Sequence, residues 1–178
     1  MKKILTCLAF AACATFAFAT TASAKLPADM EEFKARYEAE AKTPEGAAKL
    51  WLEAAFLYSD PSTRHLGRDI FVVLMRKLPK DFERNAAHSV MVDKLKNESH
   101  IMRSFCAGTS PENGYTTDLN KCEITVTQSK EGYENTWNLW LKSSGSDSNR
   151  QVTLTKDGDH WQVSNAAGLY MGIRPPQK

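Results

Sequence analysis

Three polar segments carry the side chains best suited to chemistry. Thr109-Ser110-Pro111-Glu112-Asn113-Gly114-Tyr115 sets a carboxylate near a phenol, groups that can exchange a proton or hydrogen-bond a ligand. The same string contains Asn-Gly, which is turn chemistry first of all. Ser143-Ser144-Gly145-Ser146-Asp147-Ser148-Asn149-Arg150 is dense in hydroxyls and places Asp147 shortly before Arg150. That pair could bind an anion or a carboxylate through charge-assisted bonds, or the two could brace a solvated hairpin against each other. Gly172-Ile173-Arg174-Pro175-Pro176 offers Arg174 either as an anion anchor or as cover for apolar surface. His160 adds an imidazole, which can give or take a proton or hydrogen-bond a ligand. The ligand-binding candidates are therefore Glu112, Tyr115, Asp147, Arg150, His160 and Arg174, and no catalytic residue is assigned.

Several chemistries lack their signatures. His65, His88, His100 and His160 are scattered, with no H-E-x-x-H and no pair on one helical turn, so no metal site is indicated. Neither a G-x-S-x-G elbow, a phosphate-binding P-loop nor a dinucleotide fingerprint occurs, and no cofactor is implied.

The compartment is read from the amino terminus. Lys2 and Lys3 precede a largely apolar run from Ile4 to Ala19, and Thr20-Thr21-Ala22-Ser23-Ala24 places small residues where a signal peptidase reads. Residues 1–24 are thus expected to be a cleaved signal peptide, with a periplasmic or secreted mature chain from Lys25. A spanning anchor needs about 20 apolar residues, longer than this run. A lipoprotein retained at Cys13 is the weaker alternative, because the apolar run continues past it and Phe10 stands where Leu is usual.

Removal of that segment takes Lys2 and Lys3 and no acid, so 23 basic residues become 21 against 21 acidic ones. A formally neutral chain without a basic patch gives no reason to expect nucleic acid, and no integral membrane segment is expected in it. Cys7 and Cys13 also leave, and Cys106 and Cys122 remain as an even pair in an oxidising compartment. With no C-x-x-C for redox work, a structural disulfide is the favoured reading over two separate core residues.

The elements that must position these groups change character along the chain. Lys25 to Lys42 is charged, with Met30, Phe33 and Tyr37 at helical spacing, and reads as a loosely packed leading helix or linker. Thr43-Pro44-Glu45 is a cap, a first-turn proline and an acid at the positive helix end, ahead of Ala47, Leu50, Trp51, Ala54, Leu57 and Tyr58. Asp60-Pro61 repeats the signal and opens a second helix ending at Pro79, with Gly67 a point of breakage. A third is expected from about Lys80 to Lys96, with Phe82, Ala86, Val90 and Leu95 near one face. Beyond Phe105 the pattern turns to period-two alternation: Ile124 and Val126; Trp137, Leu139 and Leu141; Val152 and Leu154; Trp161 and Val163. Leu169 to Ile173 could extend the last strand. Trp137 and Trp140 are an odd spacing apart, so one of them leaves the core face.

Helices followed by an antiparallel meander make an α+β fold, with N-terminal helices packed on a curved sheet of about four strands in a single domain over 43–178. The cone-shaped fold of nuclear transport factor 2 and related domains fits this order, and such a sheet would enclose a pocket.

Thr43-Pro44-Glu45-Gly46, Ser110-Pro111-Glu112-Asn113-Gly114-Tyr115, Ser143-Ser144-Gly145-Ser146-Asp147-Ser148 and Gly172-Ile173-Arg174-Pro175-Pro176 together resemble an uncharacterised bacterial family, a domain of unknown function. The resemblance implies a shared fold and no reaction. The resulting expectation is an exported soluble domain that binds a small molecule or an envelope component without catalysis. The alternative is a small periplasmic enzyme using a cone-shaped pocket with His160, Asp147 or Glu112 as acid or base.

Overall fold

The computed structural model describes residues 25–177, and the expected signal segment, with Cys7 and Cys13, lies outside the described residues. Helix α1 (Met30–Glu40) starts at Asp29, whose carboxylate accepts hydrogen bonds from the backbone of Glu31 and Glu32. It is not loosely packed: Phe33 is fully buried, and the Ala41 carbonyl accepts a 2.7 Å bond from the Trp161 backbone. Arg36 explains the rest of its attachment. Its guanidinium lies 2.7 Å from Glu40 and 2.8 Å from Glu53, whose side chain is only 6 % exposed.

Helix α2 (Pro44–Ser59) begins where the cap signal places it, with the Thr43 hydroxyl accepting from the Gly46 backbone. Leu50 through Tyr58 are buried without interruption. A helix covered on every side is a central rod rather than an amphipathic cover, and the other elements wrap it. Asp60 ends α2 instead of capping the next helix; its Oδ1 accepts from the Ser62 backbone at 2.8 Å, and α3 (Arg64–Leu74) starts after Thr63. Gly67 does not break α3. A Cβ there would lie 2.4 Å from the Tyr58 backbone nitrogen and 2.7 Å from the Ala54 carbonyl oxygen, so the glycine lets α3 press against α2.

The expected helix over Lys80–Lys96 divides into two single 3-10 turns, Phe82–Arg84 and Ala86–His88, followed by α4 (Ser89–Asn97). Asn85 interrupts it, because its side chain accepts from the Ala87 backbone and competes with a continuous helix. The break rotates the faces: Phe82, Met91 and Leu95 are buried, whereas Val90 is 53 % exposed and Ala86 also faces solvent. A short α5 (His100–Arg103) then leads into the loops.

Strands β1 (Val126–Glu131), β2 (Thr136–Leu141), β3 (Arg150–Asp157) and β4 (His160–Asn165) form one antiparallel sheet in chain order. The fold is α+β. Leu139, Leu141, Val152, Leu154 and Val163 share its inner face and are fully buried in one cluster with Trp51. Helix α2 packs on β2, β3 and β4, so the face that a cone-shaped fold would leave as a pocket is filled with side chains. Trp137 meets Trp161 edge-on at 6.0 Å, and Trp140, half-buried, turns to the opposite face as the odd spacing requires. Leu169 to Ile173 does not extend β4: the Asn165 side chain accepts from the Ala167 backbone and starts α6 (Ala167–Tyr170), which buries Leu169. Met171 and Gly172 bend the chain, and Ile173 through Gln177 follow as a tail without regular secondary structure.

Candidate functional site

The loop 108–116 is organised around Asn113. Its side-chain oxygen accepts from the backbones of Ser110 and Tyr115 while its amide donates to the Gly108 carbonyl, closing the turn from both sides. Gly114 and Tyr115 both take left-handed backbone angles, at φ 64° and 56°. For a fully buried tyrosine this is an uncommon conformation, tolerated where the surroundings over-determine it. Here they do: the Tyr115 hydroxyl donates to the Arg174 carbonyl at 2.8 Å, and its ring lies 5.7 Å from that of His100.

The serine-rich segment reaches the same place from the sheet. Ser143 and Ser144 bond to the end of α5 through a 2.7 Å hydroxyl contact with Ser104 and a backbone bond to the Ser104 carbonyl, and the Ser144 hydroxyl meets that of Thr109 at 3.0 Å. Gly145 follows, where a Cβ would be 2.6 Å from both the Tyr115 hydroxyl and Ile173. Only a glycine admits the tyrosine and the tail together. Across this gap the Arg174 backbone donates to the Gly145 carbonyl, and the Gln177 backbone to that of Pro111. Arg150 donates to the Gly172 carbonyl at 2.6 Å, and Gly172 is itself left-handed at φ 65°.

Three strings far apart in sequence thus close on one another. Five of the six candidates, Glu112, Tyr115, Asp147, Arg150 and Arg174, lie in this clasp, in two different roles. Tyr115 and Arg150 hold the tail, through the Tyr115 hydroxyl and one Arg150 amino group. Asp147 and Arg174 face outward as an exposed pair 3.3 Å apart. Glu112 is exposed beside them; a hydrogen bond from the Ser110 hydroxyl, then its own backbone N–H and the charge of Arg174, hold its carboxyl below the ordinary value. Burial pushes the Tyr115 phenol above its ordinary value, in keeping with its use as a hydrogen-bond donor.

His160 is elsewhere. At the start of β4 it stacks on Tyr37 of α1 at 4.8 Å, with Nε2 3.1 Å from a Glu38 oxygen, and it belongs to the packing of α1 on the sheet. Ser104, Thr109, Ser143 and Gly145, which build the clasp, are not among the residues selected by reactive type. Their signal was present only in the strings as wholes. The sulfur atoms of Cys106 and Cys122 are at bonding distance, 1.97 Å, directly behind the clasp loop. Among the described residues no three His, Cys, Asp or Glu side chains are grouped to hold a metal, and no helix is long and apolar enough to cross a membrane.

The profile of a family described as a domain of unknown function, DUF6935, matches residues 25–177, the whole described structure. The chain belongs to this family. No curated protein and no solved structure matches it. The DUF6935 region takes in α1 as well as the helices, sheet and tail, so the attachment of α1 through Arg36 and Ala41 lies inside the family's extent. In this DUF6935 chain all three clasp strings fall within the match.

Proposed function

We propose that the chain is an exported, non-catalytic binding domain whose clasp surface holds a charged component of the cell envelope. The observation that carries this reading is the convergence of Glu112, Asp147 and Arg174, exposed and of both signs, on a backbone frame already closed by Tyr115, Arg150 and Gly145. A frame whose ordering is complete before the ligand arrives loses little entropy on binding, so a few exposed charges and hydroxyls suffice for recognition. His160 lies apart from Glu112 and Asp147, which speaks against a histidine–carboxylate acid–base pair among these three residues. A soluble muropeptide, with carboxylates, an ammonium and sugar hydroxyls, is the matching class of envelope ligand.

Two experiments test the two halves of this reading. Fractionation of cells and mass analysis of the product should find a mature protein beginning at Lys25 outside the cytoplasm; full-length protein in the cytoplasm contradicts export. Titration of purified mature protein with soluble muropeptides should perturb the clasp and be weakened by Glu112→Gln, Asp147→Asn or Arg174→Gln. Unchanged binding in all three variants contradicts the assignment of the surface.

A further inference from the structure

A polar concavity lies at the junction of α2 and α5, lined by Phe56, Ser59, Asp60, Pro61, Ser99, Arg103 and Leu119, with an open volume of about 260 Å³. None of the six candidate residues contributes to it. Its two charged groups are held apart and both are free to act. The Arg103 backbone is fixed, because its carbonyl accepts from the Thr109 hydroxyl at 3.1 Å, yet its guanidinium makes no hydrogen bond or ion pair among the described residues. Asp60 uses Oδ1 for the Ser62 backbone and hydroxyl, at 2.8 and 2.7 Å, and Oδ2 has no partner among the described residues.

Those Ser62 bonds, with lesser help from the charges of Arg64 and Arg103, keep the Asp60 carboxyl below its ordinary value and therefore ionised at neutral pH. Arg64, the other nearby cation, is committed to the end of α2, donating to the Tyr58 and Ser59 carbonyls at 3.0 and 3.4 Å. Of the remaining walls, Phe56, Pro61 and Leu119 are apolar, and Ser59 and Ser99 add two hydroxyls. Opposite charges facing the same small space without touching, beside an apolar wall, ask for a ligand carrying both charges and a short hydrocarbon group. The space is below the roughly 300–1,000 Å³ of pockets that take larger ligands, which limits that ligand to amino-acid size.

We propose that this cleft binds a small free amino acid, its carboxylate on Arg103, its ammonium on Asp60 and its side chain against Phe56 and Leu119. The site shares no lining residue with the clasp surface, and the test separates the two. L-valine, N-acetyl-L-valine and L-valinamide are titrated into isotope-labelled mature protein while backbone amide signals are followed. L-valine should move the signals of Ser59, Ser62, Ser99, Arg103 and Leu119, and each blocked analogue should bind at least about tenfold more weakly, having lost one charge-assisted contact. Arg103→Gln and Asp60→Asn should weaken L-valine binding similarly, Asn retaining an oxygen for Ser62. Glu112→Gln and Arg174→Gln should leave it unchanged. The proposal is overturned if L-valine up to about 50 mM leaves those signals in place, or if the blocked analogues bind as well as the free amino acid.

Discussion

The Tyr115 hydroxyl and the Arg174 carbonyl, 59 residues apart, meet at 2.8 Å and fasten the tail to the loop that begins at Gly108. Tyr115→Phe keeps the ring and removes only the donor, leaving a carbonyl beneath the tail without its partner. We expect a loss of about 1–3 kcal/mol and faster hydrogen exchange at the Arg174 amide than in the parent. Unchanged stability together with unchanged exchange at Arg174 would show that the tail is held by other contacts.

Arg36 is the cation for two carboxylates of unequal exposure. Burial raises the Glu53 carboxyl above its ordinary value against the pull of Arg36, whereas at Glu40 the Arg36 and Lys49 contacts overcome burial and lower it. Arg36→Ala leaves the buried Glu53 with Lys49, 3.8 Å away, as its remaining cation and should cost up to about 3–5 kcal/mol in denaturant unfolding. Combining it with Glu53→Gln should recover part of that loss, since the buried charge is then gone; a double variant less stable than Arg36→Ala alone contradicts the assignment.

His100 gives the clasp an acid-sensitive neighbour. Burial lowers its pKa below the ordinary 6.5, with Glu98 opposing and Lys94 adding to the effect, and its buried Nε2 has no hydrogen-bond partner beside the Tyr115 ring. The unfolded chain binds this proton more readily, so the contribution to stability is complete above pH 6.5 and lost as pH falls through the lower folded value. Melting temperatures across that interval should fall more steeply for the parent than for His100→Phe. Parallel curves for the two proteins would remove His100 as the cause.

Cys106 and Cys122 are 16 residues apart in sequence with Cα atoms 4.9 Å apart, a span that a disulfide bridges without backbone movement. Oxidised mature protein should present no free thiol, and reduction should lower stability by about 3 kcal/mol. Two titratable thiols in the oxidised protein would contradict a bond.

What could be read in advance follows from the range of the interactions involved. The Thr43 cap, the period-two strands and the opposite faces of Trp137 and Trp140 are set by neighbours in sequence, and each stands as read. Most places where expectation and structure part involve distant partners. Gly67 reads as a breaker until Tyr58 and Ala54 are seen beneath it, and the charged leading segment reads as loose until Arg36 meets Glu53. Asn85 divides a helix by one local bond that periodicity does not weigh. Tyr115 and Arg150 have reactive groups, yet the Tyr115 hydroxyl and one Arg150 amino group go to Arg174 and Gly172. Asp60 reads only as a helix cap and Arg103 is not among the candidates, because only the fold of α2 toward α5 places them at one cleft.

The claim on which the functional account depends is that the exposed charges of the clasp form one binding surface. Its most direct measurement is a map of backbone amide shifts in isotope-labelled mature protein titrated with soluble muropeptides. The account predicts that the largest changes fall on Glu112, Ser146 to Ser148 and Arg174, and that Asp147→Asn and Arg174→Gln each reduce affinity about tenfold. Changes confined to other faces, or a spectrum that does not move, would contradict it.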